Sequence, residues 1–259
     1  MTSDPIYVDH HATTPCDDRV LEAMWPYFGT HFGNAGSRSH AYGLTARQAT
    51  EHARSQVATW LGASPKEIVF TSGATESDNL AILGVVRARS GPRHVITLAT
   101  EHPAVLDPVA QLEREGVEVT ILPVGPDGLV DPEAVVAAFK PYTVLVSIMR
   151  VNNEIGVIQP LEAIGKACRE RGIWLHTDAA QAAYVPVDIS ALHADLISVS
   201  AHKIFGPKGI GALVVRRTRP KIEIEPLQLG GGQERGIRSG TLPVPLIVAL
   251  GKAAELVAE

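Results

Sequence analysis

Lys203 stands in Ser198-Val-Ser-Ala-His-Lys203-Ile-Phe-Gly-Pro-Lys-Gly209, after an apolar run and before a glycine-proline turn. Asp178 closes an earlier apolar run, Ile173-Trp-Leu-His-Thr-Asp178. A lysine can hold an aldehyde as a Schiff base, and a depressed pKa helps it both to attack and to act as a base afterwards. An ionised carboxylate facing a pyridine nitrogen keeps that ring protonated and electron-withdrawing. A pyridoxal phosphate (PLP) site needs both groups. Lys208, in Gly-Pro-Lys-Gly, reads as a solvated turn residue.

Further polar clusters could complete such a site. Thr71-Ser-Gly-Ala-Thr-Glu-Ser77 is a small-residue turn leading into a helix, with Gly73 allowing close backbone approach. Free N–H groups and hydroxyls at a helix N-terminus can cradle a phosphate. That role suits the turn running from Thr71 into the helix, with Ser200 and His202 adding donors from the opposite side. The ring of His102 could stack on a flat cofactor or shuttle protons near neutral pH. Asn153 and Gln181 could hold the cofactor's phenolic oxygen or a substrate carboxylate.

The elements that must position these residues are short apolar runs rich in β-branched residues. They are Ile68-Phe70, His94-Leu98, Val117-Leu122, Thr143-Ile148, Ile173-His176, Leu196-Val199 and Gly211-Val215, all read as buried strands. Helical patterns lie between most of them. Ala49, Ala53, Val57 and Trp60 share a face between Gly43 and Gly62, and Leu161, Ile164 and Cys168 share one between Pro160 and Gly172. Alternating strands and helices predict an α/β domain with a mainly parallel sheet. The turn between Val199 and Gly211 is too short for a parallel crossover, which takes about a dozen residues or more. Gly211-Val215 is therefore expected to run antiparallel to its neighbours. Each polar cluster follows a different strand, on the sheet edge where open α/β sheets bind ligands.

Composition narrows the classes. The 259 residues are 45% hydrophobic and carry a formal net charge of −5, which gives no basic footprint for nucleic acid. There is no apolar run of membrane-spanning length. Two cysteines make a disulfide framework unexpected, so the cytoplasm is the expected location.

Taken together, Val8-Asp9, Ala12-Thr-Thr-Pro15, Phe70 to Asn79, Thr100-Glu-His102, Val151 to Gly156, His176 to Gln181, Ala201 to Gly209 and Arg235 to Thr241 resemble the PLP-dependent cysteine desulfurases of iron–sulfur cluster assembly and sulfur transfer. The resemblance runs in order along almost the whole chain. It implies a type I PLP-dependent transferase fold, a homodimer, PLP as cofactor and L-cysteine as substrate. The products would be L-alanine and sulfur left as a persulfide on an enzyme cysteine, with a sulfur-acceptor or scaffold protein, or a chain supplying the missing C-terminal segment, as partner. It implies Lys203 as the Schiff-base lysine, Asp178 as the pyridinium partner and His102 as the stacking and acid–base histidine. Gln181 would contact the phenolic oxygen, and Asn153 would orient cofactor or substrate. Thr75, Ser200 and His202 would bind phosphate, joined by Thr241 of the other subunit.

The expected organisation is an N-terminal arm over 1–15 and a PLP-binding large domain over 16–259, ending in a helix that leads toward a small domain that is mostly missing. The segment that carries the family's nucleophilic cysteine and its carboxylate-gripping arginine has no counterpart, so impaired activity is expected unless another chain supplies it. Cys168 reads as core. Cys16 lies beside Asp17 and Asp18, which raise a thiol's pKa and so work against a nucleophile. His10-His11 lacks further ligands at metal spacing. A PLP lyase or transaminase without persulfide formation, or a non-catalytic PLP-binding partner of a longer homologue, are the alternative readings.

Overall fold

A computed structural model describes residues 5–259; of the expected 1–15 arm, residues 1–4 lie outside the described residues. Seven strands, β1 (Ile68–Thr71), β2 (His94–Leu98), β3 (Glu118–Leu122), β4 (Thr143–Ser147), β5 (Trp174–Asp178), β6 (Leu196–Ser200) and β7 (Gly211–Val215), form one sheet in the order β1-β7-β6-β5-β4-β2-β3. The pairings β2–β3, β2–β4, β4–β5 and β5–β6 are parallel. Strand β7 runs antiparallel to both β6 and β1, as its short approach turn requires.

The β-branched runs bury both faces of the sheet. β1, β2, β5, β6 and β7 are buried at every residue. β3 departs from the expected buried strand. It lies at the sheet edge and is partly exposed, with Glu118 turned outward to Lys140 and Tyr142. An edge strand has neither a second neighbour nor full helical cover, so polar residues suit it.

Side chains alternate across a strand, and the alternation separates two cores. Ile68, Phe70, Val146, Leu175, Ile197 and Val214 join the core on one face. Val69, Leu145, Trp174, Leu196 and Leu213 join the core on the other. Helices α1 (Asp18–Met24), α2 (Ala41–Trp60), α7 (Leu161–Glu170) and α8 (Val244–Ala258) contribute residues to the first core. Helices α3 (Ala74–Asn79), α4 (Val85–Arg87) and α5 (Pro103–Arg114) accompany the second, and α6 (Pro132–Ala137) packs beside α7. A wider π-type turn, Leu80–Gly84, joins α3 to α4 without a break. This mixed sheet between helical layers is the α/β architecture that the alternation of strands and helices predicts.

Helix α8 occupies the end of the chain, as its apolar pattern predicts, and buries Ile247, Leu250, Ala253 and Ala254 against α2 and α1. The crossing of α2 and α8 is tight. A Cβ at Gly251 would lie 2.6 Å from the Ala53 Cα, so glycine is what lets the two backbones approach. Cys168 is fully buried on the inner face of α7, as expected, and burial pushes its thiol up to about 12.

Arg54 departs from the expected helix pattern because it points inward from α2. Its guanidinium donates to both carboxylate oxygens of Glu234 at 2.8 Å and to the Ile68 carbonyl at 2.9 Å, over the ring of Phe70. Glu234 also accepts the Phe70 N–H at 3.0 Å. This buried pair fastens the glycine-rich segment 230–240 to the first strand.

Candidate active site

The strands end at one edge of the sheet, and a cavity of about 940 Å³ opens there. Lys203, Asp178, His102, Thr75, Asn153, Gln181, Ser200 and His202 all line it. The sheet brings these residues together because parallel strands β2, β4, β5 and β6 deliver their C-terminal turns to the same side. Thr241 does not line this cavity; it is exposed, shortly before α8.

The turn after β1 is built for close approach. Thr71 Oγ1 lies 2.8 Å from Ser77 Oγ and donates to the Gly73 carbonyl, which folds Ser72 and Gly73 over the start of α3. Gly73 has φ 150°, a backbone state few side chains tolerate. A Cβ at Gly211 would sit 2.4 Å from the Val199 carbonyl and 2.7 Å from the Gly73 Cα. The end of β6, the start of β7 and the Gly73 turn are therefore in backbone contact, and Ser200 faces the same turn. A helix N-terminus with Thr75 on one side and Ser200 and His202 on the other is a suitable phosphate cradle.

Lys203 reaches across the cavity and donates to the carbonyl of His11. Gln181 Nε2 donates to the same carbonyl at 2.8 Å. His202 Nδ1 lies 3.1 Å from Thr13 Oγ1, and Thr14 is bonded to the His202 carbonyl and the Phe205 N–H. The segment from His11 to Thr14 is thus seated on the loop that carries the lysine. Burial pushes the Lys203 amine down, opposed by Asp178 and Asp9.

Asp178 is buried and accepts the Ala180 N–H at 2.8 Å. Burial first, and then neighbouring Asp78, push its carboxyl up to about 7. The sequence alone suggests a simply ionised Asp178; in the folded chain it needs a nearby cation to stay so. His102 caps α5, its Nδ1 accepting the Ala104 N–H at 3.0 Å, which places the hydrogen of the neutral ring on Nε2. Asn152 is buried and shapes its turn by accepting the N–H groups of Glu154 and Ile155, which leaves Asn153 on the cavity wall.

A family model described as Aminotransferase class-V matches residues 6–259. The chain belongs to the class-V aminotransferase family. Within that family it is 57% identical over 254 residues to a protein described as "Cysteine desulfurase IscS" from Rickettsia rickettsii (strain Iowa). That match covers 97% of this chain and 62% of the relative. It is 58% identical to "Cysteine desulfurase, mitochondrial" of Drosophila melanogaster, covering 97% of this chain and 55% of the relative. The chain thus spans less than two thirds of the length of these curated relatives. Among solved structures, "SspA in complex with cysteine" superimposes with a TM-score of 0.93 at 45% identity, covering 96% of this chain and 72% of that one. DndA from Streptomyces lividans gives 0.86 at 46% identity, with 98% and 72% covered.

The residues of this class-V chain fit PLP. The cavity pairs an attackable lysine with a buried carboxylate in want of a cation, and a glycine-built helix N-terminus lies between Thr75 and Ser200. Three buried groups were not singled out from sequence: Asp78, which lines the cavity, and Glu101 and His176, which lie behind its wall. His176 was legible, since it stands two residues before Asp178 and shares its sheet face. Asp78 stands one turn from Ala74 and from Ala81 and Ile82 on the inward face of its helix, an acid among apolar neighbours.

Proposed function

We propose that this chain binds PLP and performs the cofactor chemistry of a cysteine desulfurase, which converts L-cysteine to L-alanine and passes the sulfur to a thiol as a persulfide. The observation that carries this reading is the placement of Lys203 and Asp178 on one cavity with the Gly73 turn beside them. PLP, when bound, supplies an electron sink that stabilises negative charge next to the substrate amine. The chain's own residues do the rest. Lys203 would hold the cofactor aldehyde, and its Nζ would move the proton. Asp178 would keep the ring nitrogen positively charged, and that charge would in turn favour the ionised Asp178. His102 would lie against the ring, with Nε2 the nitrogen left free to carry a proton. Thr75, Ser200 and His202 would fix the phosphate, while Gln181 and Asn153 would orient the ring oxygen and the substrate.

The acceptor thiol is one other than Cys16 and Cys168. Burial and then Asp17 and Asp18 push the Cys16 thiol up, and Cys168 is sealed in the core. A thiol that stays protonated is a poor nucleophile. We further propose a homodimer in which Thr241 of one subunit reaches the phosphate of the other. Thr241 is exposed, and Leu229 near the Gly230 segment is 82% exposed. Among the described residues no helix is long and apolar enough to cross a membrane, and the cytoplasm is the proposed location.

The test is incubation with PLP followed by borohydride reduction and peptide mass mapping. PLP fixed to Lys203, lost in Lys203→Ala, is expected. With L-cysteine added, alanine is expected in step with sulfur delivered to an added thiol. Fixation at another lysine refutes the assignment, and turnover of cysteine without alanine favours a lyase instead.

A further inference from the structure

Beneath the cavity lies a polar row that the reaction does not otherwise use. Ser147 on β4, His176 on β5 and Ser198 on β6 share the α3 face of the sheet, and Ser147 and His176 are register partners, as are Asp178 and Ser198. Ser147 Oγ lies 2.8 Å from His176 Nδ1, and Ser198 Oγ lies 3.0 Å from His176 Nε2. Asp78 enters from α3 with its Oδ1 3.4 Å from His176 Nε2. All these side chains are fully buried, yet Asp78 also lines the cavity.

Three buried carboxyl groups meet here, and their partners differ. Glu101 accepts the Met149 N–H with both oxygens, at 2.9 and 3.1 Å. Asp178 accepts the Ala180 N–H. Asp78 has no such backbone donor: both its oxygens lack a partner in standard hydrogen-bond geometry, and only the Ser198 hydroxyl stands close enough to act on it. A buried carboxylate ion without a donor is very costly, whereas the neutral acid can give its own proton away. The titratable groups that act on Asp78 are His176 and Asp178 from β5 and Glu101 from the turn before α5, while His102, Lys203, His202, Glu76 and Asp9 line the same cavity. β1 and β7 present no titratable side chain, and Asp107, Glu113 and Arg114 of α5 are exposed. Of these groups His176 is held neutral, since burial pushes it down to about 4. Burial likewise pushes Asp78 up to about 7.

We propose that Asp78 is a positioning residue for this site: held as the neutral acid, it donates its proton into the Ser198–His176–Ser147 row and leaves Asp178 the ionised carboxylate that faces the cofactor ring. The arrangement fixes the His176 tautomer, with Nδ1 donating to Ser147 and Nε2 accepting. It also prevents two like charges from competing beneath one ring nitrogen. The role rests on the PLP reading given above.

Carboxyl carbon NMR of the ¹³C-labelled chain tests it, with resonances assigned by their loss in Asp78→Asn and Asp178→Asn. Near neutral pH with PLP bound, the Asp78 resonance is expected at its protonated position and that of Asp178 at its ionised position. An ionised Asp78 beside bound PLP overturns the proposal. In parallel, Asp78→Asn, which keeps a donor, is expected to bind PLP within about threefold of wild type, and Asp78→Leu to bind about tenfold or more weakly, the loss typical of removing one buried polar partner. Equal affinity in all three proteins also overturns it. A wild-type chain that fails to bind PLP overturns the cofactor reading, and the role of Asp78 with it.

Discussion

Glu234→Ala is the most informative single perturbation of the scaffold. It removes the two Glu234 oxygens that Arg54 donates to and the partner of the Phe70 N–H, at side chains only 5% and 0% exposed, and leaves the guanidinium with the Ile68 carbonyl and half-exposed Glu51. Arginine cannot shed its charge, so the variant leaves a cation in the core between α2 and β1. Breaking a buried pair from one side costs about 3–5 kcal/mol. A chain of this size loses about 2–4 °C of Tm per kcal/mol, so a fall of roughly 6–20 °C is expected. Urea denaturation and thermal melts measure it. The control is the double variant Arg54→Met with Glu234→Leu, which replaces the pair by apolar side chains and is expected within about 2 kcal/mol of wild type. Segment 230–240 is fastened a second time, by Arg238 to Glu76 at 2.9 Å, so the fold survives while the segment loosens. A loss below about 1 kcal/mol in Glu234→Ala would refute the reasoning, because the pair would then not behave as a desolvated one.

Two other outcomes follow from the same side chains. Asp78 and Asp178 are pushed up to about 7 and Asp195 to about 6, so the folded chain binds more protons than the unfolded one between about pH 4 and 7. Their stabilisation is complete at the acid end of that window and is lost as pH rises through it. His176, pushed down to about 4, acts in the opposite sense, as do His94 and His202, while Glu101, also pushed up by burial, adds to the three acids. The PLP-free chain is therefore expected to melt lower at about pH 8 than at about pH 5, with a flatter profile in Asp178→Asn; a Tm that climbs over this range would contradict the charge assignment. Of the two thiols, only partly exposed Cys16 is expected to react with a thiol reagent in the native chain, and both after denaturation. Modification of Cys168 without unfolding would show that the α7 core opens.

Much of the fold was legible because β-branched runs and short turns are local signals. The antiparallel course of β7 followed from the length of a single turn. The cofactor-facing residues were legible because each follows a strand, and one edge collects them. What escaped depends on distant partners. Arg54 looks like a surface residue until Glu234, 180 positions away, comes to meet it. Asp78 looks like an ordinary helix acid until the β5–β6 face is packed beneath it. The exposure of β3 also escaped, since its apolar residues do not reveal that it lies at the edge.

Strand β7 has a consequence for how this site can change. Its first residue, Gly211, pairs with both Thr71 and Ser200, so one strand end sets the spacing between the phosphate turn and the lysine loop. Adding or deleting one residue between Ser200 and Gly211 would slip β7 by one position and exchange its two buried faces. That would empty both cores at once and carry the lysine away from the turn. The loop that holds Lys203 can therefore vary in composition but hardly in length. Its length serves as a ruler between two parts of a binding site that lie far apart along the chain.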